Sequence, residues 1–367
     1  MFLHRSSIFS IALLSAGFVL SAGIDDASAQ AKGWASGAKA KAPTMLDLIP
    51  RMSSGQSYTE RYGFSVDLEG GGHIGVDFTI SNLGFGSGYG AAGVRVNVPG
   101  AKRYEFSEKM NRGKWSYATD RFFLDIANTS VESKGNDTFV VKHDGDVKFE
   151  LEFKNTIPMW RPGDGEITVD GGYYKFNLIS PRADVTGKVF VNGEWREVKA
   201  ARGGYADHVA TNIAPYDLAK RFSRFRHYND DVFIIWREIQ LEEKFGGETF
   251  TWVMVGYRDQ IVFADANATI KFGNVRPDAS TGYSVPHSLQ VEGKNGHDTI
   301  TLVMRGNKAD KRDLLASYGR AARLVASAVS KPFQYTVKSQ YTIQMSIKGT
   351  TANVAGKTHY TIDFVNP

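Results

Sequence analysis

A stretch near the middle of the chain has the residue pattern of two strands joined by a tight turn, and few residue pairs can form such a turn. From Ala183 to Val191, apolar residues alternate with polar or small ones, which is the two-residue period of a strand. Asn192-Gly193 follows directly, and this pair is typical of a two-residue hairpin loop because both residues tolerate positive φ. The stretch therefore predicts a β-hairpin and restricts the chain to folds that contain antiparallel sheet.

Similar alternating segments recur along most of the sequence, at intervals of roughly ten residues. Aromatic residues make up 12% of the chain, and its 38 glycines supply many turn positions. We therefore expect an all-β protein. Residues 309–329 are the exception, since their apolar residues recur at helical spacing and predict one late α-helix.

The first 29 residues have the pattern of a secretory signal peptide. Arg5 precedes an apolar run at residues 8–20, and an Ala-Ser-Ala cleavage motif ends at Ala29. The apolar run is too short to span a bilayer comfortably. We expect an exported protein, secreted or periplasmic, that is cleaved after Ala29 and begins with a flexible leader at residues 30–57.

The rest of the chain is too long for one ordinary core, so two domains are expected. The pair Gly203-Gly204 allows a sharp bend and divides the chain into β-domains at residues 58–203 and 204–367. The chain has no cysteine, which excludes disulfides and thiolate metal sites. Its 44 Lys and Arg barely exceed its 39 Asp and Glu, and this small excess gives no indication of nucleic-acid binding.

A phenol, a carboxylate and an imidazole follow the glycine pair, as Tyr205, Asp207 and His208. In a regular strand the first two point to one face and His208 to the other, so a shared site requires a bend or a bulge. A carboxylic acid inside an apolar barrel can protonate an alkene, which makes Asp207 a candidate proton donor. The alternative is a structural corner in which Asp207 only accepts hydrogen bonds.

Other residues are candidates for contact with a ligand. Trp160, Trp236 and Trp252 provide bulky apolar surface, although core packing explains such residues equally well. The segment Lys220–Arg226 interleaves four cations with two aromatic residues, which fits either a membrane-surface contact or a solvated edge strand. Arg221, in this segment, is a candidate partner for an acidic ligand group. The histidines lack metal-ligand spacing, so no metal site is expected, and no motif indicates a cofactor.

Four short motifs occur in a fixed order and resemble those of one protein family. They are Pro158-x-Trp160-x-Pro162-Gly163, Ser180-Pro181-x-Ala183-x-Val185-x-Gly187, Gly204-Tyr205-x-Asp207-His208 and Pro215-x3-Ala219-x-Arg221-Phe222. The family is the lipocalin-like group that holds carotenoid 1,2-hydratases (hydroxyneurosporene synthases), secreted AttH-type proteins and yeast survival-factor proteins. The resemblance covers residues 58–260 well and the rest loosely.

The resemblance implies two lipocalin-like β-barrels in tandem and an apolar cavity. Some members add water to isoprenoid-like substrates, isomerise them or cyclise them, whereas others look like lipid-binding proteins. Many members carry tryptophan where this chain has Ala210 and Phe222, a departure that weakens the transfer of a hydratase activity.

Two functions follow as expectations. The first is an exported protein that binds a hydrophobic, isoprenoid or lipid-like small molecule. The alternative is a hydratase, isomerase or cyclase in which Asp207 donates the proton while Tyr205 and His208 orient it. A structural protein at a carbohydrate surface is a third interpretation, for which the sequence has no motif. The oligomeric state is not indicated.

Overall fold

The computed structural model describes residues 31–35, 41–83, 87–229, 231–316 and 320–366. Strands dominate these residues, and the all-β prediction is confirmed. The chain forms two compact units: Ala35–Glu166 with Gly172–Ala214, and Pro215–Pro367 with Ile167–Gly171 and a segment that ends at Trp34. The predicted signal peptide lies outside the described residues. No described helix is long and apolar enough to cross a membrane.

The first unit is built around one large antiparallel sheet that stays open. Its strands follow the order β4-β3-β2-β1-β13-β11-β9-β8-β7-β6-β5, so β4 and β5 are edges and the sheet is a half-barrel form of the lipocalin-like barrel that the resemblance implies. The strands of this sheet are β1 Thr59–Leu68, β2 Gly72–Ser81, β3 Tyr89–Asn97, β4 Tyr104–Met110, β5 Ser116–Tyr117, β6 Phe123–Ile126, β7 Thr129–Ser133, β8 Thr138–Asp144, β9 Lys148–Asn155, β10 Glu166–Val169, β11 Gly172–Val191, β12 Glu194–Glu197 and β13 Ala200–Thr211. The short strands β10 and β12 pair with β11 outside the main order, and most of β10 is counted with the second unit.

One face of this sheet carries the core of the first unit. Strand alternation puts Tyr62, Phe64 and Val66 of β1 on that face. Phe64 meets Phe153 of β9 edge to face, with the ring centroids 5.5 Å apart. Because each of these side chains is nearly inaccessible to solvent, their burial on a shared face contributes hydrophobic stabilisation to the unit.

Part of the predicted flexible leader belongs to this core. Helix α1 covers Met45–Leu48, and the Leu48 side chain has an exposed fraction of 0%. The Tyr62 hydroxyl oxygen lies 2.9 Å from the carbonyl oxygen of Leu48. The prediction of a flexible leader is therefore wrong for this segment, because a single apolar helical turn buries itself against β1.

The hairpin prediction is confirmed, and the predicted domain boundary is displaced. Val191 pairs with Glu194 across the turn, and Asn192 and Gly193 adopt φ values of 54° and 83°. The boundary predicted after residue 203 lies inside β13, which continues to pair with β1 and β11 as far as Thr211. The glycine pair therefore shapes a strand instead of ending a domain.

The second unit is a closed antiparallel barrel of eight strands, β14 to β21 in sequence order. Its core includes Trp236, Val253, Leu302 and Tyr360. The elements are α2 Pro215–Leu218, β14 Ala219–Tyr228, β15 Val232–Leu241, a 3₁₀ turn Glu243–Phe245, β16 Thr249–Tyr257, β17 Gln260–Asp278, β18 Tyr283–Asn295, β19 Asp298–Asp313, α3 Arg320–Val329, β20 Phe333–Ile347 and β21 Thr350–Phe364.

The predicted late helix is shorter than the sequence pattern suggests. Residues 309–313 belong to β19, where Ala309 pairs with Val337 of β20, and the helix begins only at Arg320. Helical spacing of apolar residues is a local signal, and here the long-range pairing with β20 overrides it.

Candidate functional site

Strand alternation separates the three residues of the predicted acid/base set. On β13, Asp207 lies opposite Gly63 of β1, whereas His208 lies opposite Tyr62. Tyr205 and Asp207 share one face, and the Tyr205 hydroxyl donates a 2.7 Å hydrogen bond to Oδ2 of Asp207. No bulge brings His208 round to that face. The structure therefore joins two members of the set and separates the third.

Asp207 is held in an ion-pair cluster. Gly63 lies between Asp77 of β2 and Asp207 in the strand register, and Arg61 of β1 reaches over it to both carboxylates. Nη1 of Arg61 donates to Oδ1 of Asp207 over 3.0 Å, and Nη2 donates to Asp77. A Cβ on residue 63 would collide with the guanidinium, which explains the glycine. Both Asp207 oxygens accept hydrogen bonds, Oδ1 from Arg61 and Oδ2 from Tyr205, which is the arrangement of a buried structural ion pair.

His208 belongs to a second cluster, which we call the Glu60 network. Oε1 of Glu60 accepts from the Tyr62 hydroxyl over 2.6 Å and from Nε2 of His208 over 2.8 Å. Its Oε2 accepts from the Tyr58 hydroxyl over 2.8 Å and from the backbone N–H of Arg51 over 2.9 Å. Four donors therefore saturate this buried carboxylate, which leaves it no free lone pair for a substrate.

The Glu60 network extends to Asn177 and raises the phenol pKa values of its two tyrosines. Nδ1 of His208 accepts from the Asn177 amide over 3.0 Å, and Nε2 donates to Glu60. The ring stacks on Tyr62, with the centroids 4.5 Å apart. Burial first, and the Glu60 charge second, raise the pKa of Tyr58 and Tyr62 far above the ordinary phenol value. Both clusters thus favour the structural interpretation of this corner over the catalytic one.

A third polar cluster lies on the inner wall of the closed barrel. Phe225 and Trp236 belong to the barrel core, and Ser223 and Glu238, two residues away on the same strands, share that inner face. Ser223 lies opposite Glu238 in the register, and Glu238 lies opposite Thr251 of β16. Three adjacent strands therefore present polar side chains at one level of an otherwise apolar interior.

Arg221 neutralises this cluster from the same face of β14. Its Nε donates a 3.0 Å hydrogen bond to Oε1 of Glu238, and its guanidinium lies 4.4 Å from the ring centroid of Phe272. The Arg221 side chain is 20% exposed, while that of Glu238 is 0% exposed. Burial raises the pKa of Glu238, although Arg221 and the neighbouring Ser223 hydroxyl oppose the shift.

Four polar atoms of this wall have no hydrogen-bond partner among the described residues. They are Oγ of Ser223, Nε1 of Trp236, Oε2 of Glu238 and Oγ1 of Thr251, all buried. An unpaired buried polar atom costs about 1–3 kcal/mol. We call these four residues, Ser223, Trp236, Glu238 and Thr251, the barrel-wall site.

The structure separates the predicted ligand-contacting residues. Trp236 and Arg221 lie on the inner face of the barrel, as a ligand site there requires. Trp252 lies on the opposite face of β16 from the core residue Val253 and is buried there. Trp160 is half-buried in the first unit and forms an isolated bridge to Leu178. Their roles in binding stay predictions.

The cationic segment does not form an exposed edge. Its strand, β14, pairs with β15 on one side and β21 on the other. Lys220 pairs with Glu243 over 2.6 Å, and Arg224 pairs with Asp363 over 2.5 Å. Arg221 also has a carboxylate partner, so Lys220, Arg221 and Arg224 each pair with a carboxylate of the second unit. The segment therefore gives little support to a membrane contact.

Glu238 and Thr251 were missed by sequence reasoning, although a signal exists. Ile234, Trp236 and Glu238 have the same parity on β15, so a tryptophan assigned to the interior places the carboxylate there too. The continuous apolar run that precedes Glu238 hides this alternation.

The substitution Glu238→Gln should change how stability depends on pH. The folded pKa of Glu238 is raised above its ordinary 4.5, so the folded state keeps a proton that the unfolded chain releases. The stabilisation from that proton is lost as the pH rises through the raised value. Thermal unfolding from about pH 4.5 to pH 8 should therefore show the Tm of the variant rising relative to wild type. A relative Tm that falls with pH would contradict this assignment.

An open half-barrel sheet and a closed eight-stranded barrel with an apolar interior define the chain as a lipocalin-like β-protein. The model of the Svf1 family matches residues 102–365, and the chain belongs to that family. The resemblance stated from the sequence motifs is thereby confirmed.

A named relative and several solved structures are similar to this chain. The ceramide-binding protein SVF1 of Yarrowia lipolytica is 20% identical over 248 residues, and the match spans 61% of this chain but only 62% of that protein. An AttH-like protein of Nitrosomonas europaea has a TM-score of 0.53 at 12% identity, covering 83% of this chain and 92% of its own.

Two further solved structures have the same fold. Kievitone hydratase of Nectria haematococca has a TM-score of 0.50 at 11% identity, and CghA with Sch210972 has a TM-score of 0.56 at 10% identity. Each match covers 91% of this chain and 98% of the other. At such low identity these likenesses concern the fold alone.

Proposed function

We propose that this protein binds an amphipathic, lipid-like molecule inside its closed barrel. The observation that carries the proposal is the barrel-wall site: four buried polar atoms without partners, placed on a barrel wall that is mostly apolar. A polar ligand group would satisfy those atoms, while hydrocarbon would lie against the apolar wall. Family membership and the ceramide-binding relative support the same function.

The barrel has the features that such a ligand needs. Eight strands enclose an interior of the size that holds either packed side chains or one small ligand. Its apolar wall includes Ile234, Val255, Leu289 and Val291, all buried. Phe272 lies opposite Leu289 in the register and is only half-buried. Phe272 and Arg221, which are both partly exposed, therefore lie between solvent and the part of the barrel wall that contains Glu238.

Lipid analysis of the purified protein tests this function. We expect extraction to release an amphipathic lipid at about one molecule per chain. We also expect the delipidated protein to bind a short-chain fluorescent ceramide. Recovery of no lipid, together with no binding of the fluorescent ceramide, would refute the proposal.

Proton-transfer chemistry on an isoprenoid-like substrate is a second candidate, and Glu238 is the observation that favours it. Asp207 already accepts on both oxygens, whereas Glu238 is a buried acid whose pKa is raised, in an apolar interior. If the protein is such an enzyme, Glu238 is the proton donor. Turnover of an alkene lipid that Glu238→Gln abolishes while the lipid still binds would support it.

Export is part of the proposed function, and its basis is the sequence pattern at residues 1–29. A mature protein whose first residue is Gln30, found outside the cytoplasm of its producing cell, is the expected result. An uncleaved chain retained in the cytoplasm would contradict export and leave the lipid-binding proposal intact.

A further inference from the structure

A second set of unpaired polar atoms lies on the side of the barrel opposite the barrel-wall site. His287 of β18 and Ser339 of β20 are both more than nine-tenths buried, and neither Nδ1 of His287 nor Oγ of Ser339 has a hydrogen-bond partner among the described residues. Each lies two residues from a core side chain of its own strand, Leu289 or Val337, so both point into the barrel. The strand between them, β19, is four strands from β15 in a barrel of eight, and it therefore lies across the interior from Glu238.

Gly306 of β19 separates these two side chains and leaves space between them. Gly306 pairs with Ser339 on one side. On its other side the register brings it to His287, because the preceding pair is Ser288 with Arg305. A Cβ on residue 306 would collide with atoms of β20, which explains the glycine. The imidazole and the hydroxyl therefore lie on either side of a gap that no side chain of β19 fills.

Arg276 brings a positive charge to the same gap. It lies opposite the core residue Val285 in the register of β17 and β18, and it therefore shares the inner face of the barrel. From β17 its side chain crosses β18, and Nη1 donates a 3.1 Å hydrogen bond to the carbonyl of Asn307, which adjoins Gly306. Burial, and then the charge of Arg276, lower the pKa of His287, which shows that the guanidinium lies close to the imidazole.

The charge of Arg276 has no carboxylate partner among the described residues. The acid nearest to it in sequence, Asp278, is bonded to Lys311 over 2.9 Å and to the Tyr335 hydroxyl over 2.8 Å. A guanidinium has five N–H donors, and the Asn307 carbonyl uses one of them. The Arg276 side chain is also exposed, so a ligand can reach this end of the barrel, where β17 ends and β18 begins.

We propose that Arg276, His287 and Ser339 form an anion site that binds a carboxylate or phosphate group at this end of the barrel. An oxyanion only accepts hydrogen bonds, so the guanidinium, Nδ1–H of the imidazole and the hydroxyl can all donate to it. The anion belongs either to an amphipathic ligand whose chain enters the barrel or to a small free anion. This inference goes beyond the proposed function, because a neutral lipid bound at the barrel-wall site leaves the anion site open.

Three ligands test the anion site and distinguish the two sources of the anion. The delipidated full-length protein is titrated at neutral pH and low salt with palmitate, with hexadecanol, which has the same chain length and no charge, and with inorganic phosphate. If the anion is a lipid head, we expect palmitate to bind at least about tenfold more tightly than hexadecanol, since charge-assisted hydrogen bonds to arginine are strong. If the anion is a small free molecule, we expect phosphate to bind without a lipid.

Variants of two site residues assign the anion preference to this place. Arg276→Met removes the charge and keeps an unbranched side chain, so we expect the affinity for the anion to fall about tenfold while the affinity for hexadecanol stays unchanged. Ser339→Ala removes a hydroxyl that has no partner, so the affinity for the anion should fall about threefold without a fall in the Tm. Arg258→Met is the matched control, because Arg258 lies at the other end of β17 and pairs with Asp231 over 3.3 Å.

The outcomes separate this inference from the proposed function. If palmitate binds no more tightly than hexadecanol and phosphate does not bind, the anion site is refuted, whereas binding of hexadecanol would still support a ligand inside the barrel. An anion preference that Arg276→Met leaves intact, or that Arg258→Met reduces equally, would also overturn the site. If phosphate binds, Arg276→Met abolishes that binding and neither lipid binds, the anion site stands and the proposed lipid binding fails.

Discussion

Replacing Arg61 by methionine is expected to lower the free energy of unfolding by about 3–5 kcal/mol. The guanidinium joins Asp77 and Asp207 across Gly63, and all three charged side chains are largely buried. Methionine fills a similar volume but leaves two carboxylates facing each other without a cation. The loss is large because burial prevents water from replacing the missing partner.

Urea unfolding followed by circular dichroism measures this loss. Arg103→Met is the control, since Arg103 pairs with Glu105 where both side chains are about half exposed, and such a surface pair contributes at most about 1 kcal/mol. Equal midpoints for wild type and the Arg61 variant would show that the cluster around Asp207 does not stabilise the fold. The acid/base interpretation of Asp207 would then regain its support.

The substitution Glu60→Gln is expected to cost about 3–6 kcal/mol, from at least two charge-assisted hydrogen bonds worth roughly 1.5–3 kcal/mol each. The carboxylate accepts from four donors, and an amide of the same shape offers one oxygen to them while its N–H₂ group opposes the other donors. Because the Tyr62 side chain of this network also contacts Leu48 of α1, the variant should loosen α1 as well.

Hydrogen exchange and urea unfolding test the Glu60 network together. We expect faster exchange in residues 44–58 and a lower unfolding midpoint. Glu152→Gln is the matched control, because Glu152 is 44% exposed and lies 3.9 Å from Lys134, a weak surface pair. A Glu60→Gln protein as stable as the Glu152→Gln protein would contradict the role given to the network.

The fold follows from the sequence where local geometry determines it. The turn at Asn192-Gly193 and the alternation along β1 and β15 are local patterns, and the structure confirms the hairpin and the strands. The helix predicted at residues 309–329 is partly wrong because Ala309 belongs to a strand that pairs with Val337, and no local pattern reports a partner so distant in sequence. The open edge of the first sheet is likewise a property of pairing between distant strands.

The site is predictable to a smaller extent, for the same reason. Alternation correctly predicts that His208 points away from Tyr205 and Asp207. The role of Asp207 depends on Arg61, which lies 146 residues away in sequence, so the sequence left its two interpretations open. Glu238 follows Trp236 at strand spacing, so its inward position could have been predicted from the sequence. Its unpaired oxygen and its register position opposite Thr251 are visible only in the closed barrel.

The central claim, a lipid-like ligand inside the closed barrel, is tested most directly by photolabelling. A ceramide with a diazirine in its acyl chain is bound to the purified protein and irradiated, and the labelled peptides are identified by mass spectrometry. The account predicts labels on inward-facing residues of β15–β18, near Trp236 and Phe272, and their loss when unlabelled ceramide is added in excess. Labels confined to residues 41–166, or labels that excess ceramide does not displace, would contradict it.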